Sequence, residues 1–116
     1  MKIKILKSKI HRATVTEACL DYEGSIALDS TLLKHAGIVN YEKVHVLNVT
    51  NGNRLETYAI PSDTPGHVCI NGAAAHLVSP GDIVIIVAYG QIQSDEIKKT
   101  SPKIIFVDNK NNIIPK

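Results

Sequence analysis

The chain opens on Lys2 to Thr16, where apolar Ile3 and Ile5 hold odd positions before Leu6 and Ile10 take even ones. Alternation of this kind marks a half-buried strand, and the change of phase predicts a bulge within it. Past the change, Lys7, Lys9 and His11 share the polar face opposite Leu6 and Ile10. The run after Asp29 breaks the pattern: Asp29 supplies an N-cap and Gly37 a stop, so a short helix is expected between them. Val44 to Val49 and Arg54 to Ile60 flank Asn51-Gly52, a strong hairpin signal. A strand at Val68 to Ile70 runs into Asn71-Gly72 and the small residues Ala73 to Ala75, which read as a turn into one helical turn ending at Pro80-Gly81. Ile83 to Ala88 is apolar throughout, as in a strand buried on both faces. Lys103 to Val107 and Ile113 to Ile114 bracket a polar turn as a last hairpin. Six or seven short strands with one or two short helices predict a mainly β fold, a small closed barrel with an open sandwich as the alternative.

A length of 116 residues predicts a single domain, since domains run to about 100 to 200 residues. A chain of this size buries only about two-thirds of its unfolded surface, so a pocket should be shallow or shared between subunits. Thirteen Lys plus Arg against eleven Asp plus Glu give +2, with only the first twelve residues one-sidedly basic. That is too weak for a nucleic-acid footprint, and four Tyr, one Phe and no Trp offer few rings for bases to stack on. The longest apolar run is far short of the roughly 20 residues that span a bilayer, and no signal peptide follows the basic start, so a soluble, cytoplasmic protein without membrane contact is expected. Cys19 and Cys69 are too few for a disulfide framework and are expected as free core thiols. The five His show no ligand spacing, and no metal is expected.

Four segments add chemistry: Lys9-Ile10-His11-Arg12, Asp21-Tyr22-Glu23-Gly24-Ser25, Arg54-Leu55-Glu56-Thr57-Tyr58 and Asn71-Gly72-Ala73-Ala74-Ala75-His76. In this order and spacing they resemble the pyruvoyl-dependent aspartate 1-decarboxylases, over Lys9 to Tyr89, roughly 70% of the chain. The departures are Cys19, where an acid or amide is expected, and a tail after Gln91 that matches no motif. The resemblance implies a double-psi β-barrel and a cytoplasmic lyase that converts L-aspartate to β-alanine and CO₂ for pantothenate biosynthesis. It also implies a zymogen that cuts itself between Gly24 and Ser25, and a homotetramer with active sites shared between subunits. Whether cleavage is spontaneous or assisted by a maturation helper protein is left open.

The chemistry suits these residue types. Ser25 Oγ can attack the Gly24 carbonyl carbon to give an ester; β-elimination and hydrolysis then leave a pyruvoyl group at the new N-terminus. Gly24, without a Cβ, is expected to let the backbone take the strained approach this needs. The developing oxyanion needs a donor, a role the resemblance assigns to Thr57 with Asn71 as a supporting amide. The pyruvoyl ketone would form a Schiff base with the aspartate amine and act as the electron sink for decarboxylation. Arg54, with its bidentate fork, and Lys9 are the candidate cations for a substrate carboxylate. Tyr58 is the implied proton donor, expected to be buried and to share a strand face with Arg54 about 13 Å away, while Thr57 points to the other face. Gly72, Ala73 and Ala74 would let substrate approach backbone N–H groups. His11 and Tyr22 are supporting candidates only. A non-catalytic β-barrel interaction or regulatory module, or a pyruvoyl decarboxylase of another amino acid, are the competing functions.

Overall fold

A computed structural model describes Met1–Lys116 as one continuous chain. Nine strands, β1 (Lys2–Thr14), β2 (Glu17–Cys19), β3 (Ser25–Asp29), β4 (Lys43–Asn48), β5 (Arg54–Ser62), β6 (Val68–Asn71), β7 (Ile83–Gln93), β8 (Lys103–Val107) and β9 (Ile113–Ile114), form one sheet. Helix α1 (Ser30–Ala36) and two 3₁₀ segments, Gly72–Leu77 and Ser94–Lys99, complete the fold.

The strands lie side by side in the order β2-β6-β3-β5-β4-β7-β1-β8-β9. β1, seventh in this row, runs on through Val15 and Thr16 into β2, the first, so the sheet curls back on itself. Val15 N–H donates to Asp82 O at 2.9 Å and Thr16 N–H to Val68 O at 2.8 Å, which closes the sheet as a barrel rather than leaving an open sandwich. A continuous core of Ile10, Ile26, Leu28, Leu32, Val44, Val46, Ile70, Val84 and Ile86 fills it.

The bulge expected in β1 is present between Leu6 and Ser8, and a second lies between Ile10 and Ala13, where Arg12 takes a left-handed φ of 64°. Asp29 Oδ1 accepts from Thr31 N–H at 2.9 Å, and Gly37 ends α1 at φ 70°, as the capping residues predicted. The turn around Gly52 is longer than a two-residue hairpin, because Asn48 Oδ1 accepts from the N–H groups of Thr50 and Asn51 and draws Val49 out of the strand.

Three expectations need correction. The strands number nine, not six or seven, since β2 is only three residues and β3 is buried over most of its length without the alternation that reveals a strand. There are three short helices rather than one or two, because Ser94–Lys99 forms a 3₁₀ segment started by a reciprocal Gln93–Glu96 capping box. Cys19 is exposed on the outermost strand of the row and is no core thiol, whereas Cys69 is buried. The last hairpin forms as expected, β8 pairing antiparallel with β9, and it is built into the fold because β8 also runs parallel to β1, pairing Ile104 with Lys9 and Phe106 with His11. Asn111 fastens it, Nδ2 donating to the Thr14 and Gly66 carbonyls and Oδ1 accepting from Thr14 N–H, all at 2.8 Å.

Candidate active site

Ser25 begins β3, which lies between β6 and β5. The antiparallel register with β6 sets Ser25 opposite Asn71, and both are buried. Asn71 Nδ2 donates to Ser25 Oγ at 3.1 Å, and Ser25 Oγ–H donates to the Glu23 carbonyl at 3.2 Å. Cys69 Sγ–H in turn donates to Asn71 Oδ1 at 3.1 Å, fixing which way the amide faces. Burial, then the nearby Glu17 and Cys19, push the Cys69 thiol pKa up, so it stays a neutral donor. The Asn71 amide thus reaches the Ser25 hydroxyl.

The glycine with a conformational requirement is Gly72 rather than Gly24. Gly24 lies outside the left-handed region, and a Cβ there would meet nothing within 4 Å. Gly72 sits at φ +73°, and a Cβ on it would stand 2.7 Å from Gly24 Cα, 2.8 Å from Gly24 N and 3.2 Å from the Tyr22 carbonyl oxygen. The backbone at Gly72 is therefore the seat against which the segment before Ser25 rests. Ala73 and Ala74 follow in the 3₁₀ turn, Ala73 exposed and Ala74 half-buried. Tyr22 is exposed and enters this contact through its carbonyl alone.

β5 flanks β3 in parallel, pairing Ile26 with Ala59. The pairing begins at Ile26, so Tyr58 and Thr57 precede its first partner on β5 just as Ser25 and Gly24 precede Ile26 on the β3 side. No hydrogen bond within the chain engages the Thr57 hydroxyl. Along β5, Leu55 and Ala59 are buried while Arg54 and Glu56 are exposed, so Arg54 and Tyr58 do share the outer face. Tyr58 is only half-buried, its ring tilted against that of Tyr41 at 6.2 Å, because this face of the barrel is uncovered within one chain.

Lys9 and His11 are on β1, which does not pair with β3, and Arg54 opens β5, which does. His11 packs edge-on against Phe106 with ring centroids 5.4 Å apart. Its pKa is lowered by burial first and then by the charges of Lys9 and Arg12. A cleft of about 540 Å³ is lined by Lys4, Lys43, His45, Glu56, Tyr89, Gly90 and Gln91 and contains none of the expected site residues. Glu56 in it lies 3.6 Å from Lys43 and 3.2 Å from His45.

Sequence spacing also missed a cluster beside this site. Glu17, His67 and Cys69 bring a carboxylate, an imidazole and a thiol within 4.8 Å of one another. The usable signal was the i, i+2 spacing of His67 and Cys69, which places two side chains on one face of a strand.

A family model described as aspartate decarboxylase matches residues 1–114. The aspartate 1-decarboxylase of Acetivibrio thermocellus is 55% identical over 115 residues, spanning 98% of this chain and 91% of the relative. That of Campylobacter jejuni is 56% identical over 111 residues, covering 96% and 88% of the two chains. That of Myxococcus xanthus is 51% identical over 116 residues, covering 99% and 89%.

Proposed function

The chain belongs to the aspartate decarboxylase family and acts as an aspartate 1-decarboxylase, a carboxy-lyase; from that premise we propose that L-aspartate loses CO₂ to give β-alanine at a site centred on Ser25. The observation that carries the placement is the Ser25 hydroxyl, buried and held by Asn71 Nδ2 at 3.1 Å while Gly72 presses on the preceding residue. A serine held this closely beside its own upstream carbonyl suits an attack of Oγ on the Gly24 carbonyl carbon. That step forms the C–O bond, breaks the C–N bond and passes the hydroxyl proton to the freed amine. Glu23 O, which accepts the Ser25 proton in the resting chain, must release it first. Thr57, with its hydroxyl free, is the donor for the oxyanion at Gly24, and Asn71 orients the nucleophile.

The position of Ser25 fits a pyruvoyl group made from it, because it is buried, flanked by the Asn71 amide and followed by apolar Ile26 and Ala27. Such a group supplies an electron-accepting carbonyl for decarboxylation. Arg54 and Lys9 bind and orient the substrate carboxylates, and Tyr58 delivers a proton to the substrate carbon. Exposed Arg54 and half-buried Tyr58 lie on an outer barrel face, and Lys9 is on β1, which does not pair with β3. A site using all of them is completed between subunits, in a homotetramer, which would also cover that face and exclude water.

Intact-mass measurement of purified protein through prolonged warming tests the reading. Cleavage should give chains of 24 and 92 residues, the larger blocked to N-terminal sequencing, and Ser25→Ala should stay one chain. CO₂ release should be greatest from L-aspartate in a panel of amino acids. A protein that persists at 12.6 kDa, with or without host-cell extract as a source of helper, overturns the Ser25 chemistry.

A further inference from the structure

Where β2 lies against β6, three side chains with metal-ligand chemistry meet. The parallel pairing sets Glu17 opposite Cys69, and His67, two residues before Cys69, turns to the same face. The donor atoms all lie within 4.8 Å of one another. His67 Nε2 and Glu17 Oε1 are 3.3 Å apart. For a tetrahedral ion with nitrogen and oxygen ligands at about 2.0 to 2.1 Å, the edge between them is about 3.3 Å. The imidazole is braced from behind: Nδ1 is 2.7 Å from Ser62 Oγ, which also accepts from Thr64 N–H. An Nδ1–H bond to that oxygen leaves the Nε2 lone pair facing Glu17 and Cys69, the tautomer a metal needs and the kind of second contact that orients ligating histidines. The sulfur is buried, the imidazole half-buried and the carboxylate exposed, so the cluster has a floor, a wall and a solvent-side entrance.

We propose that Glu17, His67 and Cys69 bind a divalent, thiophilic cation of the zinc class, with water as its fourth ligand. One thiolate and one imidazole favour such an ion over magnesium or calcium, which prefer all-oxygen shells. Binding forms a metal–sulfur bond in place of the Cys69 S–H bond, and that proton leaves to solvent with no change of oxidation state. The displaced S–H is the one donated to Asn71 Oδ1, which puts the ion one side chain from the Asn71–Ser25 pair. The site needs no cleavage and stands apart from the decarboxylase reading.

Titrating Co(II) into purified wild-type protein reads the site directly. A near-ultraviolet sulfur-to-cobalt band with tetrahedral visible absorption should saturate at one equivalent per chain and disappear when Zn(II) is added. Cys69→Ser should abolish the band with the far-ultraviolet circular dichroism unchanged. His67→Gln, on a half-buried ring, should weaken Zn(II) binding at least tenfold in competition with a chromophoric chelator. Ser62→Ala should weaken it by about 10- to 100-fold, as loss of an orienting partner does. No band at saturating Co(II) overturns the proposal. So does a band that survives Cys69→Ser and is lost in Cys19→Ser, because the metal then sits on the exposed thiol.

Discussion

Replacing Gly72 by alanine tests how firmly the segment before Ser25 is held. The residue stands at φ +73°, where a side chain costs about 1 to 2 kcal/mol. The new methyl would also sit 2.7 Å from Gly24 Cα, against an ordinary lower contact limit of 3.4 Å, so one backbone or the other must move by about 0.7 Å. Overpacking of this kind adds roughly 1 to 3 kcal/mol. Gly52 supplies the control, since it has φ +80° and open space around its Cβ position. At about 4 °C per kcal/mol for a chain of this length, Gly52→Ala should lower Tm by roughly 4 to 8 °C and Gly72→Ala by roughly 8 to 20 °C, both measured in a Ser25→Ala background to keep the chain whole. In chains that retain Ser25, the time course of intact mass should show cleavage slowed by roughly 10- to 100-fold in Gly72→Ala, because displacements near 1 Å at a reacting centre have effects of that order. Gly52→Ala should cleave at the wild-type rate. Equal behaviour of the two variants in Tm and in cleavage would refute the claim that Gly72 is the seat of the Gly24 backbone.

Tyr58→Phe should still cleave but lose about 10²- to 10⁴-fold in turnover, read as CO₂ release; undiminished turnover removes Tyr58 from the proton-donor role. Mixed subunits of Ser25→Ala and Arg54→Ala, each inactive alone, should recover part of the activity, and no recovery would mean that both residues serve a site from one chain. His11, whose pKa is held below its unfolded value of 6.5 by burial and by Lys9 and Arg12, takes up its proton more readily in the unfolded chain. Stability should therefore fall as pH drops from about 6.5 through the lower folded pKa, and His11→Gln should flatten that stretch of the stability–pH curve; parallel curves would refute it.

The parts of this fold written in local chemistry were readable from the chain. Asp29 and Gly37 delimit α1 because a cap needs only its own turn, and the phase change after Ile5 marks a bulge because side-chain direction alternates residue by residue. The parts that depend on distant partners were not readable. β3 shows no alternation because both its faces are covered, and the tail is informative only once β8 is seen beside β1 and Asn111 in contact with Thr14 and Gly66. For the candidate site, the motif residues stood out by resemblance, but not their mutual contacts. Asn71 meets Ser25 across 46 residues of sequence, and the need for glycine at position 72 lies in a Gly24 backbone equally remote. Cys19 was misplaced because residue type says little about which strand ends the row.

Since β1 and β2 both precede the Gly24–Ser25 bond, a cut there leaves the seam of the barrel entirely within the short fragment. That fragment keeps β1 between β7 and β8 and β2 along β6, like a clip holding two separate parts of the sheet. It can depart only by unzipping every one of these ladders. An uncut chain folds as one body, at a rate that ignores concentration. A cut protein, once denatured, has to recruit its own first strand from solution and forfeits the millimolar local concentration a tether provides. Maturation by such a cut would turn folding into an event that happens once, after which the lifetime of the enzyme would be set by how slowly it opens rather than by how well it can return.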